Sequence, residues 1–314
     1  MNSKPDQAVG DTIMSADRVN APKIAFIGFG EAANAFVSGW ALDVSHRITG
    51  YDVKTDNPTT APAMTAQYAR AGVACARESH EALVGADYIF SVVTAEQALA
   101  AALAGAGGLQ QSAFWFDCNS CAPDTKRRAA EIIQAAGGRY IDVAVMAPVH
   151  PKRHHVPLKI AGPHAEAGAI VLRSMDMRPE VVGNEVGQAS SIKMIRSVMI
   201  KGLEALTTEC FLAARRAGVE DAVIGALEAS DPDVAWRKRG SYNLERMMVH
   251  GARRASEMRE VAITLADLGI PNHMSAASAV WQDQVASASA LPGDNDLMGR
   301  LDSLLAQLTP SEKD

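Results

Sequence analysis

No apolar run in this chain approaches the ~20 residues needed to span a bilayer. Nor is there a basic tail: a net charge of −6 gives no bulk attraction for nucleic acid or for a membrane surface. Cysteine is scarce, at Cys75, Cys118, Cys121 and Cys210, too scattered for a disulfide framework. Cys118 and Cys121 form a Cys-x-x-Cys, but no second Cys or His pair at metal spacing accompanies it, so it reads as two small residues in a tight loop and no metal is expected. The first 20 or so residues lack the apolar core of a signal peptide and carry Asp6, Asp11 and Asp17. Residues 1–21 are therefore expected to be a disordered tail and the protein to be cytoplasmic. Aromatic residues make up only 5 %, which leaves the size of any ligand pocket undetermined.

What the chain does have is Lys23-Ile-Ala-Phe-Ile-Gly28-Phe-Gly30-Glu-Ala-Ala33, followed after a helix-length interval by Ile48-Thr-Gly-Tyr-Asp52. Gly28 permits a tight turn after the apolar strand, Gly30 leaves the backbone open to a pyrophosphate, and Ala33 lets the next helix pack closely on the strand. The turn from Phe29 through Glu31 and Ala32 opens that helix, whose first amides can hold phosphate. Asp52 ends the second apolar run where a carboxylate can accept the ribose hydroxyls of NAD and repel a 2′-phosphate. NAD is thus favoured over NADP, with Lys54 as the nearby cation that could accommodate the phosphate. The strand before the glycines, the helix after them and the spaced acid make this a dinucleotide site.

From about Ala21 to Gly183 short apolar runs alternate with helix-like segments, the pattern of a parallel sheet covered on both faces. Strands are predicted at residues 23–27, 47–51, 73–74, 88–92, 113–116, 140–145 and 158–161. Helices fall at 31–42, 63–71, 79–85, 95–104 and 124–136, with another after Pro163. Beyond Gly187 the strand signals stop and helical periodicity takes over. The expected architecture is α/β: a Rossmann-like doubly wound sheet over residues 22–186, then an all-α domain over 187–314 for substrate binding and dimerisation.

The order of motifs resembles the β-hydroxyacid dehydrogenases, the group of 3-hydroxyisobutyrate and 6-phosphogluconate dehydrogenases. Four segments carry the resemblance: Gly28 to Ala33; Asp117-Cys-Asn-Ser-Cys-Ala-Pro123; Asp142-Val-Ala-Val-Met-Ala-Pro148; and Gly187-Gln-Ala-Ser-Ser-Ile-Lys193-Met194. The segment Arg253 to Ala262 is similar to a branch with a 6-phosphogluconate-dehydrogenase-like C-terminal domain. The resemblance implies Lys193 as the catalytic base, Asn119 and Ser120 as substrate ligands, Val93 and Thr94 beneath the nicotinamide, and a homodimer or larger assembly. It implies hydride transfer from the hydroxyl-bearing carbon of a β-hydroxy acid. A sugar-acid oxidative decarboxylase, an imine reductase and a non-catalytic NAD-binding regulator are the alternatives.

Departures from the family pattern bear on the substrate. Ser197 stands where the family places asparagine, and Ile200 where 6-phosphogluconate dehydrogenase places its acid. Ala147 can offer a backbone N–H in the substrate loop, but Pro148 cannot. The following loop, His150-Pro-Lys-Arg-His-His155, is a candidate carboxylate clamp, with His150 at its start; no acidic partner is placed to make its histidines a metal site. Lys193, Arg196, Ser197, Lys201 and Glu204 form one polar stripe on an otherwise apolar helix, expected to face the substrate cleft. Arg254 shares a face with Met247, Gly251, Met258 and Val261, where a guanidinium must be paired, with substrate or with a carboxylate such as Glu257.

Overall fold

A computed structural model of the chain describes residues 22–40, 47–294 and 296–308; the expected N-terminal tail and the last two positions of the first expected helix lie outside them. Two compact units are present. One holds the chain up to Asn119 together with Thr125–Ala189, the other Ser120–Asp124 together with the residues from Ser190 on.

The first unit is built on an eight-stranded sheet in the order β3-β2-β1-β4-β5-β6-β7-β8. Its strands are β1 (Ile24–Ile27), β2 (Ile48–Tyr51), β3 (Ala74–Cys75), β4 (Tyr88–Ser91), β5 (Phe114–Asp117), β6 (Arg139–Val145), β7 (Pro157–Ala161) and β8 (Arg178–Gly183). The helices of this unit are α1 (Glu31–Trp40), α2 (Ala61–Ala71), α3 (Ser79–Leu83), α4 (Ala98–Ala106), most of α5 (Pro123–Ala135), and α6 (Ala165–Ser174). The chain reverses its winding between β1 and β4, the position where such sheets take up dinucleotides.

Register explains the core. Phe26, Phe90 and Phe116 are aligned partners across β1, β4 and β5, and their rings stack at 5.4 and 5.0 Å. Each such buried ring stabilises by roughly 1.5–3 kcal/mol. The opposite sheet face buries Ile27, Ile89, Trp115 and Tyr140 against Leu83 and Ile133. Burial on both faces is why these runs read as continuously apolar.

Two features depart from the all-parallel expectation. β7 runs antiparallel to β6, and β8 is an added strand parallel to β7. The Arg178-Pro-Glu-Val-Val-Gly sequence of β8 hides its strand character behind a proline and a charge, both tolerated at a sheet edge.

The second unit is helical: α7 (Gln188–Ala217), α8 (Glu220–Ser230), α9 (Trp236–Asp267), α10 (His273–Ser287) and α11 (Leu297–Gln307). Its cores gather Phe211, Leu244, Met247 and Leu301 in one cluster and Met194, Met258, Val261 and Ala279 in another. Among the described residues no helix is long and apolar enough to cross a membrane.

Candidate functional site

The turn after β1 is fixed from both sides. Gly28 has φ +86°, and a Cβ there would lie 2.7 Å from the Val92 carbonyl oxygen, so only glycine fits. Its N–H donates to the Tyr51 carbonyl at 2.8 Å. The Phe29 N–H donates to Asp52 Oδ2 at 2.8 Å, the Phe29 carbonyl accepts from Gln67 Nε2 at 2.6 Å, and the Phe29 ring stacks on Tyr68 at 4.3 Å. Gly30 differs in kind: a Cβ there would meet no atom within 4 Å. Packing does not demand a glycine at that point, but a pyrophosphate approaching the backbone does. Ala33 is buried as the close-packing role requires, while Glu31 is exposed and Ala32 half-buried on the first turn of α1. Asp52 also accepts the Lys54 N–H through Oδ1 at 2.9 Å, so its charge is pinned at the end of β2. These residues fit a dinucleotide.

Val93 is half-buried and Thr94 exposed at the end of β4. Asn119 follows β5 and joins it to β4. It is buried, its Oδ1 accepts the Val93 N–H at 2.7 Å, and its Nδ2 donates to Ser91 Oγ at 2.9 Å. Both ends of the amide are thus engaged in joining the ends of β4 and β5. Beneath it lies a buried ionic network unsuspected from sequence. Lys126 Nζ donates to Asp117 Oδ1 at 2.9 Å and lies 3.6 Å from Asp142 Oδ1, and the Tyr140 hydroxyl donates to Asp117 Oδ2 at 2.7 Å. Asp117 and Asp142, which open two of the four recognised segments, therefore anchor the loops that follow them.

In the second unit Lys193, half-buried on α7, donates through Nζ to Ser120 Oγ. The Ser120–Asp124 segment is tied to α9, where Glu260 Oε2 accepts the Ala122 N–H at 2.7 Å. Neither Glu257 nor Glu260 carries a sequence signal for this, because their partners are distant in the chain. Ser197 Oγ donates to the Lys193 carbonyl at 2.8 Å and accepts from Lys201 Nζ at 3.2 Å, so it is engaged within the helix.

Three residues of the polar stripe of α7 are buried and internally paired, while apolar residues of the same helix are exposed. Ser197, Lys201 and Glu204 are 5, 5 and 2 % exposed, whereas the apolar Ile195, Met199 and Leu206 are 48, 62 and 56 % exposed. Arg196 lies outside this buried set and is exposed. Lys201 Nζ lies 2.7 Å from Glu257 Oε2, and Arg254 grips Glu204 with two hydrogen bonds, Nε to Oε2 at 2.6 Å and Nη2 to Oε1. Arg254 is therefore an internal partner of Glu204, the carboxylate pairing that the apolar helix face required. Burial works to raise the Glu257 pKa, but the ammonium charges of Lys201 and Lys193 overcome it and draw it down to about 2.

Ala147 is half-buried against the sheet core. The basic loop after it packs on α1, where Arg153 Nη1 donates to the Ser38 carbonyl at 3.3 Å. A Cβ on Gly39 would run into His154 and Arg153, and Gly39 stands about 12 Å along α1 from Glu31. His150 itself is exposed. An acid does join the histidines, contrary to the sequence expectation: Asp176 Oδ2 lies 2.7 Å from His155 Nε2 and 3.6 Å from His154 Nε2. Its other oxygen accepts from Arg178 at 2.8 Å, and these hydrogen bonds from His155 and Arg178 hold the Asp176 carboxyl below the usual range. No disulfide joins any of the four cysteines.

Residues 23–155 match the NAD binding domain of 6-phosphogluconate dehydrogenase, and residues 214–285 match a domain of unknown function, DUF1932. A conserved hypothetical protein from Sinorhizobium meliloti 1021 is 36 % identical, with 91 % of this chain and 97 % of that chain covered and a TM-score of 0.73. A conserved protein of unknown function, described as structurally similar to 3-hydroxyacid dehydrogenases, is 27 % identical over 91 % of this chain and 100 % of its own, with a TM-score of 0.65. Mycobacterium tuberculosis 3-hydroxyisobutyrate dehydrogenase shares the fold, at 17 % identity, 90 % and 99 % coverage and a TM-score of 0.68. With the glycine turn, the placed acid and the lysine-bearing helix in order along it, the chain belongs to the β-hydroxyacid dehydrogenase family.

Proposed function

We propose that the protein oxidises the hydroxyl of a β-hydroxy acid, or of a sugar-acid derivative, with Lys193 as general base. The observation that carries this reading is the Lys193–Ser120 hydrogen bond, which places an amine and a hydroxyl together in a half-buried setting. Gly28, Phe29, Gly30, Glu31 and Ala32 would hold the pyrophosphate of NAD and Asp52 its ribose, with Val93 and Thr94 toward the nicotinamide. Bound NAD supplies the acceptor for the hydride. Lys193, neutral when it acts, takes the proton from the substrate hydroxyl, and Ser120 Oγ orients that oxygen. In the reverse direction the ammonium stabilises the developing oxyanion. Asp52, with both oxygens fixed by backbone N–H groups, supports NAD over NADP because its charge cannot turn away from a 2′-phosphate.

Oxidation without an acid-assisted decarboxylation is favoured by the surroundings of Lys193. Ile200 has no proton to give, Glu204 is locked by Arg254, and Glu257 is held ionised. The apolar stripe Ile195, Met199 and Leu206 on α7 supports a homodimer, since burying it against a second copy removes apolar surface from water. Light scattering of the purified protein tests that state, and a monomer at micromolar concentration refutes it.

The activity is tested by NADH appearance with a panel of small aliphatic, aryl-substituted and sugar-derived β-hydroxy acids, with Lys193→Ala alongside. Loss of 10²-fold or more in kcat for the variant, with NAD affinity kept, is the expected outcome. Near-normal turnover by Lys193→Ala ends the base assignment.

A further inference from the structure

β7 and β8 run parallel with Pro157 opposite Arg178, so His155 and Asp176, each two residues upstream, stand together at the same end of neighbouring strands. Their side chains meet there, His155 Nε2 lying 2.7 Å from Asp176 Oδ2. His154 turns to the same oxygen, but its Nε2 stops at 3.6 Å, too long for a hydrogen bond. Its Nδ1 has no hydrogen-bond partner among the described residues. The ring is nonetheless buried, seated beside α1 where Gly39 makes room for it, since a Cβ on Gly39 would run into Nδ1. A His–Asp hydrogen bond needs one imidazole. A second one, buried without a proper partner and aimed at the same carboxylate, is costly unless something else binds its nitrogen.

We propose that His154, His155 and Asp176 form a site for a divalent transition-metal ion of the zinc type, with water completing the coordination. Two imidazole nitrogens and a carboxylate oxygen all lie within 4.8 Å of one another. That donor set suits Zn²⁺, whereas Mg²⁺ and Ca²⁺ take oxygen ligands. Around a tetrahedral ion with bonds of about 2.0–2.1 Å the ligand atoms stand roughly 3.3 Å apart. The 3.6 Å between His154 Nε2 and Asp176 Oδ2 is close to that spacing. The His155 contact, at hydrogen-bond length, must open by roughly 0.6 Å to admit the ion. The side chains that must move are the exposed ones, His155 and Asp176, at 44 and 65 %, while the buried His154 ring stays in place. On binding, the proton held between His155 and Asp176 passes to solvent, and Nε2 and Oδ2 both turn to the metal. Arg178 Nη1 donates to Asp176 Oδ1 at 2.8 Å, which keeps Oδ2 toward the histidines and also tempers the affinity for a cation. Gly39, beside the site, is about 12 Å along α1 from Glu31 at the glycine turn. The ion is thus a structural clip between the entry of β7 and β8 and the loop packed on α1, and the inference does not depend on the reaction proposed above.

The test uses the full chain, stripped with a chelator and titrated with Zn²⁺ by calorimetry, with Mg²⁺ as the control ion. His155→Ala and Asp176→Asn are measured alongside; both positions are exposed, and asparagine tolerates the left-handed backbone of Asp176 at φ +56°. Wild type should bind one equivalent of Zn²⁺ and not Mg²⁺. Each variant should lose at least about tenfold in affinity, since removing a ligand costs no less than removing one of its supporting partners. Zn²⁺ should raise the melting temperature of wild type and leave those of the variants unmoved. Co²⁺ in its place should give visible d–d bands without thiolate charge transfer. Absence of Zn²⁺ binding by wild type, unchanged affinity in either variant, equal binding of Mg²⁺, or thiolate bands that assign the metal to a cysteine would each overturn the proposal.

Discussion

The Phe29 N–H donates to Asp52 Oδ2 at 2.8 Å, joining the glycine turn after β1 to the acid at the end of β2 across 23 positions of sequence. The same carboxylate that would meet the ribose thus also shapes the turn that would meet the pyrophosphate. Asp52→Asn keeps the size of the side chain and removes its charge. NAD affinity is expected to fall ten- to a hundredfold, as for loss of a charged hydrogen bond of about 1.5–3 kcal/mol, while NADP affinity changes less. Binding titrations with both cofactors check this, and an unchanged NAD to NADP ratio contradicts the role of Asp52.

The two glycines of the turn should respond differently to alanine. At Gly28 the added Cβ meets the Val92 carbonyl at 2.7 Å and φ is +86°, so Gly28→Ala should lower stability by about 1–3 kcal/mol. At Gly30 the Cβ enters open space, so Gly30→Ala should leave the melting temperature unchanged and weaken cofactor binding. Thermal melts with and without NAD separate the two outcomes.

Arg254 and Glu204 form a buried pair between α9 and α7. Arg254→Met leaves a buried carboxylate without its partner and should cost about 3–5 kcal/mol. Adding Glu204→Leu should recover most of that loss, because the pair is then replaced by apolar groups. Urea unfolding of the two variants measures it, and a single variant as stable as wild type refutes the assignment.

Glu257 titrates at about 2 in the folded protein against an ordinary 4.5, so its folded pKa is depressed. Its contribution to stability is fully present above pH 4.5 and is lost as pH falls from there toward 2. Wild type should lose stability in that window faster than Glu257→Gln, which has no proton to take up. Urea midpoints at a series of pH values read the difference, and parallel curves would show that Glu257 contributes nothing to acid sensitivity.

Much of the first unit was legible because its signals are local. The strand runs around Phe26, Phe90 and Phe116 are apolar on both faces, and few other structures bury every residue of a short run. β8 and the antiparallel turn into β7 were not, since Pro179 and Glu180 resemble a loop until the neighbouring strand is in place. At the start of the second unit the Gly187 to Met194 segment, which straddles the boundary, pointed to Lys193, and Ser120 was named from a separate motif. That the two side chains meet follows only from folding.

The sequence by itself determined the dinucleotide turn, since Gly28, Gly30, Ala33 and Asp52 lie within one strand–helix–strand stretch whose geometry is set by short-range sterics. It also separated the polar and apolar faces of α7, but a helical period does not say which face turns inward. Tertiary structure decided that, burying Ser197, Lys201 and Glu204 and leaving Ile195, Met199 and Leu206 outside. The reason is pairing at long range: Arg254 reaches Glu204 across 50 positions, and Glu257 reaches Lys201 from the same helix. Charges neutralised in this way can be buried, and no local pattern in either segment encodes which carboxylate each cation takes.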